Sequence, residues 1–447
     1  PLGVEMRVIL PGYSGLADRL TDVRRIDVPL AGEAPAQVLE GHAGALSLLL
    51  VEAPDLYDRP GGPYQAGDGR DYPDNDLRFA YFARVAAAVA RSGAASWRPD
   101  LVHAHDWQAG LTPVYLRSGA GPPPPTLMTI HNIAFQGLAP MDRAAALRLP
   151  EAALTMEGAE YWGQIGFLKG GLALADRYVG ELMTEAFGMG LDGLLRRRAR
   201  DVVGILNGID TTSWDPAGDP SLAAPYSAAD MSGRAANRQA LGERFGLTVD
   251  AAAPLYIVIS RLTRQKGLDL LGEVLPVLLE SGGALAVLGT GEPDLERLFR
   301  DAAKRHAGRV GFVNAFDEPL SRLMLAGGDA ILVPSRYEPC GLTQLLGQRY
   351  GAVPIVARTG GLADTVVDAN VAARRAGVAT GIMHAPDSAE ALAAALRLAA
   401  ELFGAPGTWE RLVSNAMALP VGWETSAAAY KALYASMLET APCQPPA

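Results

Sequence analysis

A turn between a predicted strand and a predicted helix carries side chains suited to chemistry. It runs from Pro334 to Gln344 and reads PSRYEPCGLTQ, after the apolar stretch DAILV and before a helix-like segment. We expect Arg336, Glu338 and Cys340 to project at the carboxyl end of a parallel sheet, where open α/β sheets bind ligands. A lone Glu in front of a helix most often only caps that helix. A role for Glu338 in binding or catalysis therefore depends on what other loops supply.

Cations and glycines follow the neighbouring predicted strands. The loop RLTRQKG supplies Arg261 and Lys266 after the predicted strand 255–260. Loops between a strand and a helix bring backbone N–H groups and positive helix ends towards phosphate oxygens. Two more such loops, GTGEPDLE and RTGGLADTV, contribute Gly289, Gly291, Thr359, Gly360 and Gly361. The pattern outlines a nucleoside diphosphate site, although a single glycine turn is more often only a tight connection.

Other common nucleotide chemistries lack their sequence signals. The chain contains no GxxxxGK[ST] sequence, which disfavours a P-loop kinase or ATPase. It also lacks a strand–GxGxxG–helix unit with a following acid, so dinucleotide redox chemistry is unsupported. The one Asp-x-Asp pair able to hold a divalent ion on a diphosphate is Asp74-Asn75-Asp76, which is more typical of turns and helix caps. We therefore expect neither a bound metal nor a cofactor.

Polar side chains also end two predicted strands of the first half. The strand 100–104 leads into HAHDWQ, which contains Asp106, and the strand 126–130 leads into HNIAFQG, which contains His131. Strand-like and helix-like runs alternate here in the order that predicts a parallel sheet. A His at a strand end is as often structural as functional. Position alone therefore does not assign a role to His131.

Composition limits the possible partners. With 447 residues and 49% hydrophobic content, the chain is long and apolar enough for two α/β domains. A formal net charge of −10 disfavours nucleic acid, despite the local RRRAR run at 196–200. No apolar run approaches the roughly 18 residues that span a bilayer, so we expect no membrane partner. Two cysteines, Cys340 and Cys443, form no disulfide framework and fit a reducing cytoplasm.

The predicted domain boundaries follow the loops. Residues 1–210 form a predicted N-terminal α/β domain, and residues 211–420 form a predicted C-terminal one that carries the outlined diphosphate site. The irregular stretch 211–229, rich in Pro, Ser, Asp and Gly, is interpreted as the linker. Residues 421–447 are expected to contain a last helix. The oligomeric state stays open.

Seven strings along the chain carry a family resemblance. HAHDW, HNIAFQG, FGMGL, NGID, SRLTRQKG, PSRYEPCGLTQ and RTGGLADTV occur in this order. Together they resemble the bacterial glycogen synthase and plant starch synthase family. The resemblance implies a GT-B fold, in which two Rossmann-like domains with parallel sheets face each other across a cleft. It implies that residues 211–420 bind the nucleotide sugar and that the helix within 421–447 returns to the N-terminal domain. It also implies metal-independent, retaining transfer of glucose from ADP-glucose to the non-reducing end of an α-1,4-glucan such as glycogen.

The resemblance also implies roles for single residues. Arg261 and Lys266 would bind the diphosphate, and Glu338 would hold the glucose hydroxyls. His131 and Asp106 of the first domain would fix the anomeric carbon against the acceptor. The further substrate and nucleotide contacts that it implies are Asn207, Gly289, Gly291, Phe316, Cys340, Gly341, Leu342, Thr343, Thr359, Gly360 and Gly361.

Two departures from the family pattern bear on activity. The family's N-terminal KTGGL loop is absent, because the chain begins at PLGVEMRVIL, so we expect the first strand and helix to be missing. The segment RYVGELMTEAFGMG is shorter than its family counterpart. Two alternatives therefore stay open. One is a catalytically impaired glucan-binding homologue. The other is a retaining transferase that uses UDP-glucose, although such enzymes carry a second Glu where this chain has Leu346.

Overall fold

The computed structural model describes residues 2–67, 69–180, 188–248, 250–405 and 407–440. The shortened segment before the FGMGL string falls largely on residues 181–187, and Cys443 on 441–447, so both lie outside the described residues. The chain forms two compact units. Unit 1 comprises Pro1–Ile205 and Ala428–Ala447, and unit 2 comprises Leu206–Ala427.

Unit 1 contains three sheets. Its strands are β1 (Arg7–Pro11), β2 (Thr21–Val28), β3 (Ala36–Ala43), β4 (Leu46–Glu52), β5 (Val102–His105), β6 (Thr126–Thr129), β7 (Leu138–Pro140), β8 (Glu160–Tyr161), β9 (Gln164–Gly166), β10 (Arg177–Val179) and β11 (Val202–Val203). Its helices are α1 (Pro54–Tyr57), α2 (Asn75–Ser92), α3 (Asp106–Ala109), α4 (Thr112–Ser118), α5 (Phe167–Leu174) and α6 (Asp192–Arg197). The sheet orders are β1-β4-β3-β2, β11-β10-β6-β5 and β7-β9-β8.

The second of these sheets is parallel throughout, as the alternating pattern predicts. The first sheet is mixed, because β2 and β3 pair antiparallel with each other and β3 pairs antiparallel with β4. The expectation of a purely parallel sheet was wrong there. The strand β2 reads TDVRRIDV and is mostly exposed, so it has only a weak apolar signal, as is typical of an edge strand.

Unit 2 is built on one six-stranded parallel sheet. Its strands are β12 (Leu255–Ile259), β13 (Ala284–Leu288), β14 (Val310–Val313), β15 (Ala330–Val333), β16 (Val353–Ala357) and β17 (Ile382–His384). Its helices are α7 (Arg234–Phe245), α8 (Leu268–Glu280), α9 (Pro293–Arg305), α10 (Glu318–Gly327), α11 (Thr343–Tyr350), α12 (Gly360–Thr365), α13 (Val371–Ala376), α14 (Ala389–Phe403), α15 (Thr408–Met417) and the start of α16 (Trp423–Thr440).

The strand order of unit 2 explains where its ligand site can form. The order is β14-β13-β12-β15-β16-β17, so the chain moves outwards from β12 in one direction and resumes on its other side with β15. The strands β13, β15 and β16 are buried along their whole length, which fits their apolar sequences. Ligands of open α/β sheets bind beside such a reversal, at the carboxyl ends of the strands. In this unit the reversal lies between β12 and β15.

Residues 211–229 are a packed part of unit 2, contrary to the interpretation as a linker. The Asp219 side chain is fully buried and accepts hydrogen bonds from Tyr350 and Arg322. The Tyr226 hydroxyl donates to the Tyr350 carbonyl oxygen at 2.7 Å. Turn-forming residues predicted the irregular backbone of this stretch. Its burial depends on partners more than 100 positions away in the sequence.

The last helix joins the core of unit 1. Tyr430 and Tyr434 of α16 pack with Leu127 and Val179 of the parallel sheet. The chain passes from unit 2 back to unit 1 within this helix, at Ala427 and Ala428. Within the described ranges, no helix combines the length and the apolar composition needed to cross a membrane.

Candidate active site

The centre of the candidate site in unit 2 is an ion pair between Lys266 and Glu338. Lys266 Nζ donates to Glu338 Oε2 at 2.5 Å, and Ser335 Oγ donates to the same oxygen at 3.0 Å. Glu338 is only 7% exposed. Lys266 follows β12 and Glu338 follows β15, so the pair stands at the point where the strand order reverses. Sequence reasoning placed both residues at the sheet edge and did not predict their direct contact.

Backbone contacts between the two loops set this geometry. The N–H of Arg336 donates to the carbonyl oxygen of Gln265 at 2.9 Å, and Gln265 Nε2 donates to the carbonyl oxygen of Tyr337. Gly267 has a φ of +66°, and a β-carbon there would collide with the carbonyl oxygen of Pro334. A glycine is therefore required for the Lys266 loop to lie against the Glu338 loop.

Arg336 is held by two acidic side chains beside the site. Its guanidinium binds Asp269 through two hydrogen bonds of 2.7 and 2.9 Å, and its Nε donates to Asp387. The hydrogen bonds to Asp269 raise the pKa of Arg336, and the same bonds hold the pKa of Asp269 below its usual value. Arg336 therefore holds the Glu338 loop against α8, on which Asp269 lies.

The glycines of the neighbouring loops serve close backbone packing. A β-carbon would collide with the carbonyl oxygen of a neighbouring loop at each of four positions. The colliding pairs are Gly289 with Ser260, Gly291 with Leu262, Gly360 with Glu338, and Gly361 with Cys340. Each strand-end loop thus rests on the next one along the sheet.

Three of the expected phosphate-facing N–H groups are already hydrogen-bonded within the protein. The N–H of Gly289 donates to Val313, that of Gly291 to the Glu296 carboxylate, and that of Gly361 to the carbonyl oxygens of Glu338 and Pro339. Tight loop packing provides each of these donors with an acceptor. The role of the Gly361 backbone at a phosphate stays a prediction.

Asn207 and Cys340 meet beside this site. The N–H of Asn207 donates to Cys340 Sγ at 3.3 Å, and both residues belong to unit 2. Gly341, with a φ of +70°, and Leu342 then lead into α11, whose first residue is Thr343. The side chain of Gln344 donates to the carbonyl oxygens of Cys340 and Gly341 and so holds this turn.

Three other predicted residues lie along the same edge. Arg261 follows β12, is exposed, and forms no ion pair within the part of the chain that the structure describes. Thr359 is buried and directly precedes α12. Phe316 follows β14 at the outer end of the sheet, and its side chain is 92% exposed. The role of Phe316 in substrate binding stays a prediction.

Unit 1 brings together Asp106 and His131. Asp106 begins α3 after β5, His131 follows the adjacent strand β6, and Asp106 Oδ1 accepts from the N–H of His131 at 2.7 Å. Asp106 has a φ of +52°, a conformation that is uncommon outside glycine and often occurs at functional sites. Burial raises the pKa of Asp106, although the N–H of His131 acts in the opposite direction.

A row of histidines extends from this pair into unit 1. His105 Nδ1 and His131 Nε2 are 2.9 Å apart, and the two rings are nearly parallel. His103 contacts Tyr434 at 2.8 Å and Thr129 at 2.6 Å. Burial, followed by the neighbouring His105 and His131, lowers the pKa of His103 to about 2. Loss of water around its ring also lowers the pKa of His105 to about 4, a smaller shift that fits its greater exposure.

Several residues of both clusters were not predicted as site residues. They are Ser335, Gln265 and Gln344 around Glu338, and His103, His105 and Tyr434 around His131. His103 and His105 stand in the HAHDW string, which placed them at a strand end. The contact with Tyr434 spans 331 positions and has no sequence signal.

The acidic pair of α2 is engaged by arginines. Asp74 forms two hydrogen bonds of 2.8 Å with Arg59, and Asp76 binds Arg143. Asp74 stands at the N-cap position of α2, yet its side chain makes no capping hydrogen bond, because the guanidinium of Arg59 holds it. The pair was expected in a turn or a helix cap, and Asp74 does occupy the cap position of α2. Among the described residues, no group of three or more His, Cys, Asp or Glu side chains could hold a metal ion.

Comparison with known proteins identifies the family. The family described as starch synthase catalytic domain matches residues 1–197, and glycosyl transferases group 1 matches residues 243–408. A glycogen synthase from Roseobacter denitrificans is 52% identical over 447 residues, which cover 98% of this chain and 93% of that protein. A glycogen synthase from Paracoccus denitrificans is 52% identical over 444 residues, covering 97% and 92% of the two chains.

A solved structure agrees in fold over nearly the whole chain. The catalytic domain of starch synthase IV from Arabidopsis thaliana, bound to ADP and acarbose, matches with a TM-score of 0.85 at 28% identity. The match covers 97% of this chain and 92% of that one. It confirms the GT-B fold that the seven strings imply. This chain therefore belongs to the glycogen synthase family of glycosyltransferases.

Proposed function

We propose that this protein transfers glucose from ADP-glucose to the non-reducing end of an α-1,4-glucan, with retention of configuration at the anomeric carbon. The observation that carries the proposal is the contact between Lys266 and Glu338 where the strand order of unit 2 reverses. A cation and a buried carboxylate there suit the two halves of a nucleotide sugar. Lys266 and the exposed Arg261 suit the diphosphate, and Glu338 suits the hydroxyl groups of the sugar.

The transfer moves one glucosyl group between two oxygens. The bond from the anomeric carbon to the diphosphate oxygen breaks, and a bond to the 4-hydroxyl oxygen of the acceptor forms. Negative charge develops on the departing diphosphate, whose leaving oxygen accepts the proton that the acceptor hydroxyl loses. Fixed cations stabilise this charge as it develops, and Arg261 and Lys266 are the groups proposed to do so. Thr343 and the backbone at Gly360 are proposed to assist at the starts of α11 and α12.

Glu338 is proposed to position the donor and stabilise positive charge on the sugar ring. Retaining glycosidases use a carboxylate nucleophile about 5 Å from a second acid. In unit 2, Glu338 has a lysine and a serine as its side-chain partners, which suits a fixed electrostatic role. We assign no covalent glucosyl intermediate to it.

We propose that His131 and Asp106 take part in the same transfer, as the family resemblance implies. Asp106 holds the backbone of His131, and His105 contacts the ring of His131. These contacts leave the ring little freedom to turn. His131 is therefore suited to orient the sugar, with Asp106 as the residue that fixes its position.

A transfer assay tests the proposal against the alternatives. The protein would be incubated with radiolabelled ADP-glucose or UDP-glucose and one glycogen primer, and label in precipitated glycogen would be counted. We expect incorporation from ADP-glucose to exceed that from UDP-glucose. Preference for UDP-glucose would favour the second alternative, and binding of glycogen without incorporation from either donor would favour a catalytically impaired homologue. The predicted cytoplasmic location can be checked by cell fractionation.

A further inference from the structure

A cavity in unit 2, away from the candidate active site, is lined by arginines. It has a volume of about 490 Å³ and lies between α13, the following turn and the start of α15. Its polar lining includes Arg374, Arg375, Thr408, Arg411 and Asn415. None of the residues assigned to glucosyl transfer lines it. The cavity is therefore a separate feature of unit 2.

Among the residues that the structure describes, the three guanidinium groups have no acidic partner. Across the described ranges of the chain, Arg374, Arg375 and Arg411 form no ion pair, and no carboxylate lines the cavity. The Nε of Arg374 is buried and has no hydrogen-bond acceptor. A buried donor without an acceptor is unfavourable, and like charges around one cavity repel each other. Both costs would fall if an anion with several oxygens occupied the cavity.

Helix dipoles explain only part of this arrangement. Arg374 and Arg375 lie in the last turn of α13, where cations are favourable. Arg411, by contrast, is the fourth residue of α15, close to the positive end of that helix, where a cation is unfavourable. The only acidic residue of that turn, Glu410, does not line the cavity. Arg411 thus adds positive charge to an end that already attracts anions.

One N–H group at the start of α15 already has an acceptor, because that of Thr408 donates to the carbonyl oxygen of Ala405 at 3.1 Å. The helix begins at Thr408 after Gly407, which has a φ of +73°, and no side chain caps it. The first N–H groups of a helix need acceptors, and phosphate oxygens serve well in that position. The wall opposite is held in place by Asn415, whose Nδ2 donates to the carbonyl oxygens of Gly377 and Ala379 at 2.8 and 2.9 Å.

We propose that this cavity binds a phosphorylated small molecule of about the size of a hexose monophosphate. Arginine forks bind phosphate oxygens through paired hydrogen bonds, and the start of α15 supplies further donors. The volume is within the usual range for small-molecule sites of about 300–1,000 Å³. Apolar lining from Val371 and Leu412 leaves room for the organic part. The site goes beyond the proposed transfer and does not depend on it.

Calorimetry with two probes tests the site. Inorganic phosphate and glucose 1-phosphate would be titrated into the full chain with ADP at saturation, so that the predicted nucleotide site is occupied. Glucose serves as the uncharged control. We expect saturable binding of glucose 1-phosphate, weaker binding of phosphate and none of glucose. Absence of saturable binding of both phosphate probes would overturn the proposal.

Variants localise the binding. Arg374→Ala and Arg411→Ala are each expected to weaken glucose 1-phosphate binding by roughly 10-fold or more, as is typical for loss of a charged hydrogen bond. Arg397→Ala removes an exposed arginine of α14 outside the cavity and is expected to change affinity by less than about twofold. Equal losses in all three variants would overturn the proposal, because they would reflect only the lower positive charge.

A conservative variant covers the case in which Arg374→Ala does not fold. Arg374→Lys keeps the charge at the end of α13 and removes the planar fork. It is expected to fold like the natural chain, as judged by its melting temperature, and to bind glucose 1-phosphate several-fold more weakly. Unchanged affinity in both Arg374→Lys and Arg411→Ala would place the bound phosphate elsewhere and refute the assignment.

Discussion

Replacing Glu338 with Gln should separate two effects of this carboxylate. The substitution keeps the shape of the side chain and removes its charge, so the fold of unit 2 should persist. Turnover is expected to fall by at least about 10²-fold, the usual loss on removing one preorganised electrostatic contact. Binding of ADP is expected to become tighter, because Glu338 is the group that holds Lys266 through the 2.5 Å hydrogen bond.

The size of the second effect follows from that hydrogen bond. Lys266 and Glu338 side chains are 20% and 10% exposed, so water screens their interaction only in part. A hydrogen bond to a charged group contributes about 1.5–3 kcal/mol, or about 10- to 100-fold in affinity. If Lys266 must leave Glu338 to bind ADP, the Glu338→Gln variant should bind ADP nearly 100-fold more tightly. If the ammonium group of Lys266 can donate to Glu338 and ADP at the same time, the increase in ADP affinity should be only several-fold.

Isothermal titration of ADP and glucosyl transfer would be measured side by side. The control is Glu390→Gln, which removes one exposed carboxylate at the start of α14. It should leave turnover and ADP affinity within about twofold of the natural chain. Weaker ADP binding by the Glu338→Gln variant, in a protein with an unchanged melting temperature, would refute the argument that the two groups compete for Lys266. Unchanged turnover would end the catalytic assignment of Glu338.

Four further predictions rest on the same features. Lys266→Ala and Arg261→Ala should each weaken ADP and ADP-glucose binding by about 10-fold or more, while glycogen binding stays nearly intact. Calorimetry that shows an equal loss of glycogen affinity would contradict a specific role of these cations at the diphosphate. Activity should survive EDTA, because side-chain cations are the proposed charge-neutralising groups; inhibition that Mg²⁺ or Mn²⁺ reverses would point to a metal site. Gly360→Ala should lower the free energy of unfolding, measured by urea denaturation, by about 1–3 kcal/mol, because Gly360 has a φ of +45° and a β-carbon there would collide with a backbone oxygen. The control Gly404→Ala should be about neutral, because Gly404 has more room and a φ of −75°. Stability should fall as the pH drops below about 6.5. The pKa of His103 is lowered to about 2 in the folded chain, so the unfolded chain binds the proton more readily, and the free energy of unfolding should decrease by up to about 1.4 kcal/mol per pH unit. A His103→Asn variant with an equally steep pH dependence would show that another group is responsible.

Strands, and the loops that follow them, were well predicted by the sequence. The run ALAVL at Ala284–Leu288 and the run AILV at Ala330–Val333 are buried strands, as their apolar composition indicates. In an α/β fold the carboxyl ends of such strands are the places where ligands bind, so residues that directly follow them are candidates on local grounds alone. Arg261, Lys266 and Glu338 were proposed as site residues in this way, and the family strings made their combination specific.

Features without a local signal were missed. The strand β2 is an exposed edge strand with a highly charged sequence, and its pairing with β3 depends on the sheet that it joins. The stretch 211–229 has the composition of a linker, yet Asp219 is buried against Tyr350 and Arg322. The composition of a segment indicates which backbone conformations it favours when it is exposed to water. It does not indicate whether a distant segment will pack over it in the folded protein.

The sequence by itself determined which residue types stand at each strand end, since that information lies within a few consecutive positions. Only the tertiary structure decided which of them meet. Lys266 and Glu338 are 72 positions apart and come together because β12 and β15 are neighbours and Gly267 lets their loops touch. Gly361 reads as a phosphate-binding glycine by its loop, but its N–H is hydrogen-bonded to the Glu338 loop. Hydrogen-bond partners are set by distance in space, and the folding of the whole sheet determines that distance.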